Sequence, residues 1–107
     1  MIKVIPSKFF EREFNNLFKK YKNIVSDVEK VVNELKVNPK NGIALKNGAY
    51  KIRVKNSDNN KGKSGGYRII TYILRDERVY LIGIYSKSEQ ESMSDQDIKE
   101  RIKGLLK

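Results

Sequence analysis

Tyr50-Lys51-Ile52-Arg53-Val54-Lys55, then Tyr67 to Leu74 (YRIITYIL), then Val79 to Tyr85 (VYLIGIY) are three strand-like runs in quick succession, and they decide the fold. The first alternates strictly between apolar or aromatic and basic residues; the other two are rich in Ile and Tyr. Arg75-Asp76-Glu77 is short enough to join the last two as an antiparallel hairpin. Side chains alternate across a strand, so Tyr50, Ile52 and Val54 are expected to face inward. Lys51, Arg53 and Lys55 then share the other face, each about 7 Å from the next.

Working outward, Met1-Ile2-Lys3-Val4-Ile5-Pro6 reads as a strand over Ile2 to Ile5 that stops at proline. Ser7 opens a helix whose stripe is Phe10, Phe14, Leu17 and Tyr21. Ser26-Asp27-Val28-Glu29 has the form of a capping box, and Val28, Val31, Val32 and Leu35 follow at amphipathic spacing. The two helices, linked around Asn23, are expected to pack as a hairpin. Asn38-Pro39-Lys40-Asn41-Gly42 breaks the pattern, and a loop runs to Asn47-Gly48. Ser94-Asp95-Gln96-Asp97 caps a closing helix with Ile98, Ile102, Leu105 and Leu106 on its apolar face and Lys103 and Lys107 toward its end. The expected order is β-α-α-β-β-β-α over one domain, 1–107. This is an α+β fold with a mainly antiparallel four-stranded sheet packed against an N-terminal helical hairpin and a C-terminal helix.

The net charge is +10 on 107 residues, and 34% of them are charged. A basic surface attracts polyanions, nucleic acid first among them; a general solubility bias is the plainer alternative. The charge is concentrated. From Lys46 to Arg68 there are seven basic residues (Lys46, Lys51, Arg53, Lys55, Lys61, Lys63, Arg68) against one acid, Asp58, a net +6 of the +10. Like charges along one strand weaken a sheet unless something neutralises them, and a phosphate backbone does so. The plainer reading is an exposed face decorated with cations. Tyr67 and Tyr85, next to Arg68 and near Lys87, are the aromatics best placed to stack on unpaired bases.

Cysteine and histidine are both absent. Disulfides, thiol nucleophiles, histidine dyads and nearly all zinc sites are thereby excluded, so any acid–base chemistry falls to Lys, Arg, Tyr, Asp or Glu. No metal and no cofactor are expected. No apolar run approaches membrane-spanning length and the start does not read as a signal peptide, so a cytoplasmic protein with no membrane partner is expected. Lys61-Gly62-Lys63-Ser64-Gly65-Gly66 superficially resembles a phosphate-binding P-loop. The first glycine of that motif would fall at Ser57, and a strand rather than a helix follows. A flexible electrostatic clamp on RNA and a plain hairpin loop both remain open for it. Glu89, Glu91, Asp95 and Asp97 read as turn and helix-start residues.

Three stretches carry a resemblance: Tyr50-Lys51-Ile52-Arg53, Gly62-Lys63-Ser64-Gly65-Gly66-Tyr67-Arg68-Ile69-Ile70, and Ile84-Tyr85-Ser86-Lys87-Ser88-Glu89. With the element order, they make the chain resemble the RelE/ParE superfamily of toxin–antitoxin toxins, most closely its HigB-like members. The longer segment from Asn56 to Gly65 is the HigB-like feature. The resemblance implies a toxin that cuts mRNA in the ribosomal A site without metal and is silenced by a cognate antitoxin. It implies that Lys51 and Arg53 contact or activate the substrate and that Arg68 stabilises the phosphate under attack. Lys87 is a fourth basic contributor, Lys51 or Lys55 the base, and Tyr85 a compensating residue. Lys46, Lys61, Lys63 and Tyr67 are the expected RNA-binding set. Two positions depart from the RelE branch, which has an arginine where this chain has Ser88 and a tyrosine where it has Ser94. Alternatives are a ParE-like toxin directed at DNA gyrase, a non-catalytic nucleic-acid-binding module and an inert remnant of a toxin.

Overall fold

The computed structural model describes residues 1–75 and 77–105. The elements run β1 (Lys3–Pro6), α1 (Lys8–Phe18), α2 (Ile24–Val37), β2 (Ile43–Ala44), β3 (Ala49–Val54), β4 (Tyr67–Leu74), β5 (Arg78–Ser86) and α3 (Asp95–Leu105). The sheet order is β1-β5-β4-β3-β2, with β1 parallel to β5 and every other pair antiparallel. The α+β architecture is the expected one, with five strands instead of four. The added strand, β2, is only Ile43 and Ala44 paired with Lys51 and Tyr50, too short to show any alternation in sequence.

Local signals set most of the ends. Ser7 caps α1, its Oγ accepting from the Phe10 N–H at 3.2 Å. Ser94 does the same for α3, accepting from the Asp97 N–H at 3.1 Å. The start of α2 differs from expectation. The helix begins at Ile24, so Ser26 lies inside its first turn and donates to the Asn23 carbonyl. The terminus is held by a distant residue, Asp58, whose carboxylate accepts from the Asn23 N–H and Nδ2, both at 2.9 Å. Asp27, in the first turn of α2, is buried and accepts from the Ser57 N–H and Oγ. The β4–β5 hairpin closes as expected, with Leu74 paired to Arg78. Asp76 in its turn, and Leu106 and Lys107 at the end of the closing helix, lie outside the described residues.

Both faces of the sheet are covered. Ile52, Val54, Tyr67, Ile69, Val79, Leu81 and Ile84 pack under the α1–α2 hairpin, against Phe10, Leu17, Ile24, Val28, Val31 and Leu35. Ala49, Ile70, Ile82 and Tyr85 pack on the other face with Met93 and with Ile98 and Ile102 of α3. The alternation in β5 therefore breaks. Val79 and Leu81 face the hairpin, but so does Ile84, and Tyr85 faces α3. The break is a β-bulge: Ile70 pairs with Gly83 and Thr71 with Leu81, leaving Ile82 over.

A partly buried ion pair at the sheet edge holds this bulge. β1 ends at Pro6, opposite Leu81, so β5 has no strand partner on that side beyond it. Arg101 of α3 donates to the Ile82 carbonyl at 2.9 Å, and Glu13 of α1 accepts from the Ile84 N–H at 3.1 Å. The two side chains join through paired contacts of 2.8 and 3.0 Å. Gly83 makes the approach possible, since a Cβ there would sit 2.6 Å from Met93 Cε and 2.7 Å from Arg101 Nη1. Arg101→Ala should lower unfolding free energy by about 2 kcal/mol, because it strands Glu13 and an edge carbonyl together. Gly83→Ala should cost about 1–3 kcal/mol by overpacking, while Gly104→Ala, whose Cβ meets only ordinary contact with Phe9, should be neutral or mildly stabilising. Urea denaturation of the three variants checks the ranking.

Candidate nucleic-acid interface

The register brings the predicted cations into one row. Arg53 on β3 is directly opposite Arg68 on β4, and Arg68 is opposite Tyr85 on β5. The bulge puts Tyr85 on their side of the sheet. Lys51, one pleat along β3, is opposite Ile70. It lines a cleft of about 340 Å³ with Tyr85, Leu45, Ser94 and Asp95. Among the described residues, Lys51, Arg53, Lys55, Lys61, Lys63 and Arg68 have no carboxylate within 4.0 Å. Two guanidiniums facing each other without a counter-ion disfavour the free sheet.

Arg68 is 5% exposed, and its guanidinium is tied into the preceding loop. Nη1 donates to the carbonyls of Lys63 at 2.9 Å and Tyr67 at 3.1 Å, and Nη2 donates to that of Ser64 at 3.3 Å. Burial, then the neighbouring Arg53, lower its pKa, while Tyr85 acts in the opposite direction. The glycine-rich stretch is therefore an ordered loop folded around an arginine. Gly66 is required where the loop meets β3, since a Cβ would run into the Val54 carbonyl. The Lys87 N–H donates to the Gly66 carbonyl at 2.9 Å, joining this loop to the end of β5.

Tyr85 is buried, and burial raises its pKa; Arg68 and Lys87 pull it down and Glu91 pushes it up. The phenol is thus protonated at neutral pH, with cations beside it. Lys87 is half-buried, and its Nζ binds Glu91 twice, at the carboxylate (2.7 Å) and the carbonyl (2.8 Å). That hydrogen bond and the lysine's charge hold the Glu91 carboxyl below the usual range. Lys46 lies 3.9 Å from Asp95, an exposed pair at the mouth of the cleft. Glu91 and Asp95, read from sequence as turn and helix-start residues, are the acids that meet this basic face.

The other predicted residues scatter. Lys55 shares parity with Lys51 and Arg53 but lies past the end of β3, in a groove beside α2 with Lys63. Lys61 is exposed on the loop. Tyr67 is a correction. Paired with Val54, it faces the helical hairpin, is 0% exposed and meets the Tyr21 ring edge-on at 6.0 Å. It offers no face to a base. Its neighbour Arg68 faces the other way, so proximity in sequence was the wrong guide. Ser88 forms a hydroxyl contact with Ser86 at 3.0 Å, and Ser94 lies in the cleft as the α3 cap.

The sequence matches the family model of the RelE toxin of RelE/RelB toxin–antitoxin systems over residues 3–105. The chain belongs to the RelE toxin family. A solved structure of an E. coli RelE toxin, an arginine double mutant in the free state, superposes with a TM-score of 0.60 at 15% identity, covering 95% of each chain. At that identity the likeness speaks for the fold. Membership in the RelE family makes this chain a toxin of a toxin–antitoxin pair, with an antitoxin as its partner. Among the described residues, no helix is long and apolar enough to cross a membrane.

The Tyr67 hydroxyl is buried without a hydrogen-bond partner among the described residues, and burial followed by Asp27 and Asp58 raises its pKa far above the usual value. Tyr67→Phe removes an unsatisfied group and keeps the ring. It should raise stability by up to about 1 kcal/mol, read by urea denaturation.

Proposed function

We propose that this RelE-family toxin is an endoribonuclease that cleaves mRNA on the ribosome, using side-chain chemistry alone. The observation that supports this best is the unneutralised row Arg53–Arg68–Tyr85 beside Lys51 in a cleft. In the proposed reaction the 2′-oxygen attacks the adjacent phosphorus and the bond to the 5′-oxygen breaks, giving a 2′,3′-cyclic phosphate and a free 5′-hydroxyl. Charge builds on the non-bridging oxygens, where preorganised cations are most effective.

The geometry supports a division of labour. Arg53 is the exposed guanidinium and meets the phosphate directly. Arg68 sits behind it, adding positive potential and fixing the loop through its three carbonyl contacts. Lys51, in the cleft beside Tyr85, is the group that takes the proton from the 2′-hydroxyl. Tyr85 gives its proton to the departing 5′-oxygen, a role suited to a phenol held protonated by burial. Lys87 exchanges Glu91 for the RNA backbone, and Lys46 exchanges Asp95. The ribosome supplies the remaining positioning of the message. In the cytoplasm, the antitoxin would cover this basic face with acidic and apolar residues.

Controlled expression of wild type and variants in a bacterial host, with primer extension on an abundant message, tests the reading. Wild type should arrest growth and generate new in-frame mRNA ends. Arg53→Ala should reduce cleavage by about 100-fold or more, the scale of losing one transition-state donor. Arg68→Lys should lose activity with it, since a single ammonium cannot reach three carbonyls and keep its charge over the strand. Tyr85→Phe should lower the cleavage rate and leave RNA affinity nearly unchanged. Arrest by wild type without new ends would reject mRNA cleavage in favour of another target such as gyrase.

A further inference from the structure

The basic charge extends beyond the face just described, around the edge of the sheet. β2 covers β3 only at Tyr50 and Lys51, so the outer edge of β3 is uncovered from Ile52 onward. Beside it lies a groove of about 290 Å³ whose far wall is α2. Four cations line it: Lys30 from α2, Arg53 and Lys55 from β3 and its end, and Lys63 from the loop. None of the four has a carboxylate within 4.0 Å among the described residues. Two acids also line the groove. Asp27 is buried and committed to Ser57, with Oδ2 accepting from the backbone N–H at 3.0 Å and Oδ1 from the hydroxyl at 2.6 Å. That leaves Glu34 as the one exposed acid of the lining, against four cations.

The geometry points to this groove as a second binding site for an RNA phosphodiester backbone, continuous with the candidate active face through Arg53. The inference rests on the endonuclease reading for its direction along the strand, and on the groove's own charge for its chemistry. Arg53 belongs to both surfaces: it lines the groove and faces Arg68 across β3 and β4. A strand held at Arg53 therefore continues over the sheet edge toward Lys55, Lys63 and Lys30. The loop carrying Lys63 is fixed for this purpose from two sides, by Asp27 and Asp58 against α2 and by Arg68 against β4. Four cations against one exposed acid favour a polyanion over a protein strand. Val31 and Val54 line the groove and are themselves buried, so the side chains that project from its walls are chiefly the charged ones.

Opposite-sign substitutions on the exposed face of α2 test the site. Lys30→Glu and Glu34→Gln are compared with wild type for binding of a labelled, non-cleavable 2′-O-methyl oligoribonucleotide and of purified bacterial ribosomes, across a salt series. Lys30→Glu should weaken binding by about tenfold at low salt and flatten the dependence of log K on log salt by about 0.7 per lost phosphate contact. Glu34→Gln should strengthen binding by about two- to threefold, a sign that loss of helix structure would not produce. Effects on the oligonucleotide identify a single strand such as the message as the source of the phosphates; effects on ribosomes alone identify ribosomal RNA. Unchanged binding of both probes overturns the proposal. So does a change confined to binding of the antitoxin, which would make the groove a protein site. Cleavage is scored separately, so a wild type that binds through Lys30 but cuts nothing would reject the endonuclease reading and leave the groove intact.

Discussion

The interaction on which the rest of the structure depends is the Glu13–Arg101 pair at the β5 bulge. A strand of strict alternation would put Tyr85 on the same side as Val79 and Leu81, under the helical hairpin. One extra residue at Ile82 reverses the faces, and from there Tyr85 looks toward Arg68. The reversal exposes backbone groups on an edge that β1 is too short to cover. Arg101 and Glu13 take those groups and each other, so a single ion pair ties α1, β5 and α3 at one point. Such a pair adds little by its charge alone, but removing either member leaves the other and the edge unpaired. The candidate site thus depends on two residues that do not touch it.

The distribution of acids explains how a net charge of +10 is tolerated in a small fold. The carboxylates near the basic segment are mostly committed to structure. Asp58 holds the start of α2, Asp27 holds Ser57, and Glu89 binds Lys20 and Tyr21. Each pins a loop, and none meets the Arg53–Arg68 row. The loop between β3 and β4 is the main beneficiary. Its glycines permit the tight path, while Asp58, Asp27 and Arg68 fix it from different sides. A segment that composition marks as flexible is ordered because its polar groups are spent on long-range partners.

Sequence legibility followed the range of the interactions. The three strands from Tyr50 to Tyr85 and the caps at Ser7 and Ser94 rest on alternation or on contacts three residues apart, and they were readable. The start of α2 was not, because its cap comes from Asp58, 35 residues away. Neither was β2, whose two residues carry no period. Of the basic cluster, Lys51, Arg53 and Arg68 share one face because β3 and β4 keep their alternation. Lys55 separates from them because the strand ends at Val54. Tyr67 misled for a related reason: its face is set by its register against Val54, and a twelve-residue connection leaves register unspecified in sequence. The bulge is the deepest omission. Gly83 is its one local sign, and a glycine inside a strand signals a bulge or a close approach without saying which.

What remains is how a face of unpaired cations persists in the free chain. Two exposed carboxylates stand at its rim, Glu91 on Lys87 and Asp95 near Lys46. Both pairs are exposed enough to be screened by salt, and neither reaches the centre of the row. Arg53 and Arg68 are left opposite each other on neighbouring strands, and burial first, then Arg53, lowers the pKa of Arg68. An anion at Arg53 offsets the repulsion between the two cations. That gain is available to a ligand that meets the exposed Arg53 guanidinium, with Arg68 acting from behind it through its charge. The same electrostatics that disfavour the empty sheet therefore underlie the proposed binding of a polyanion.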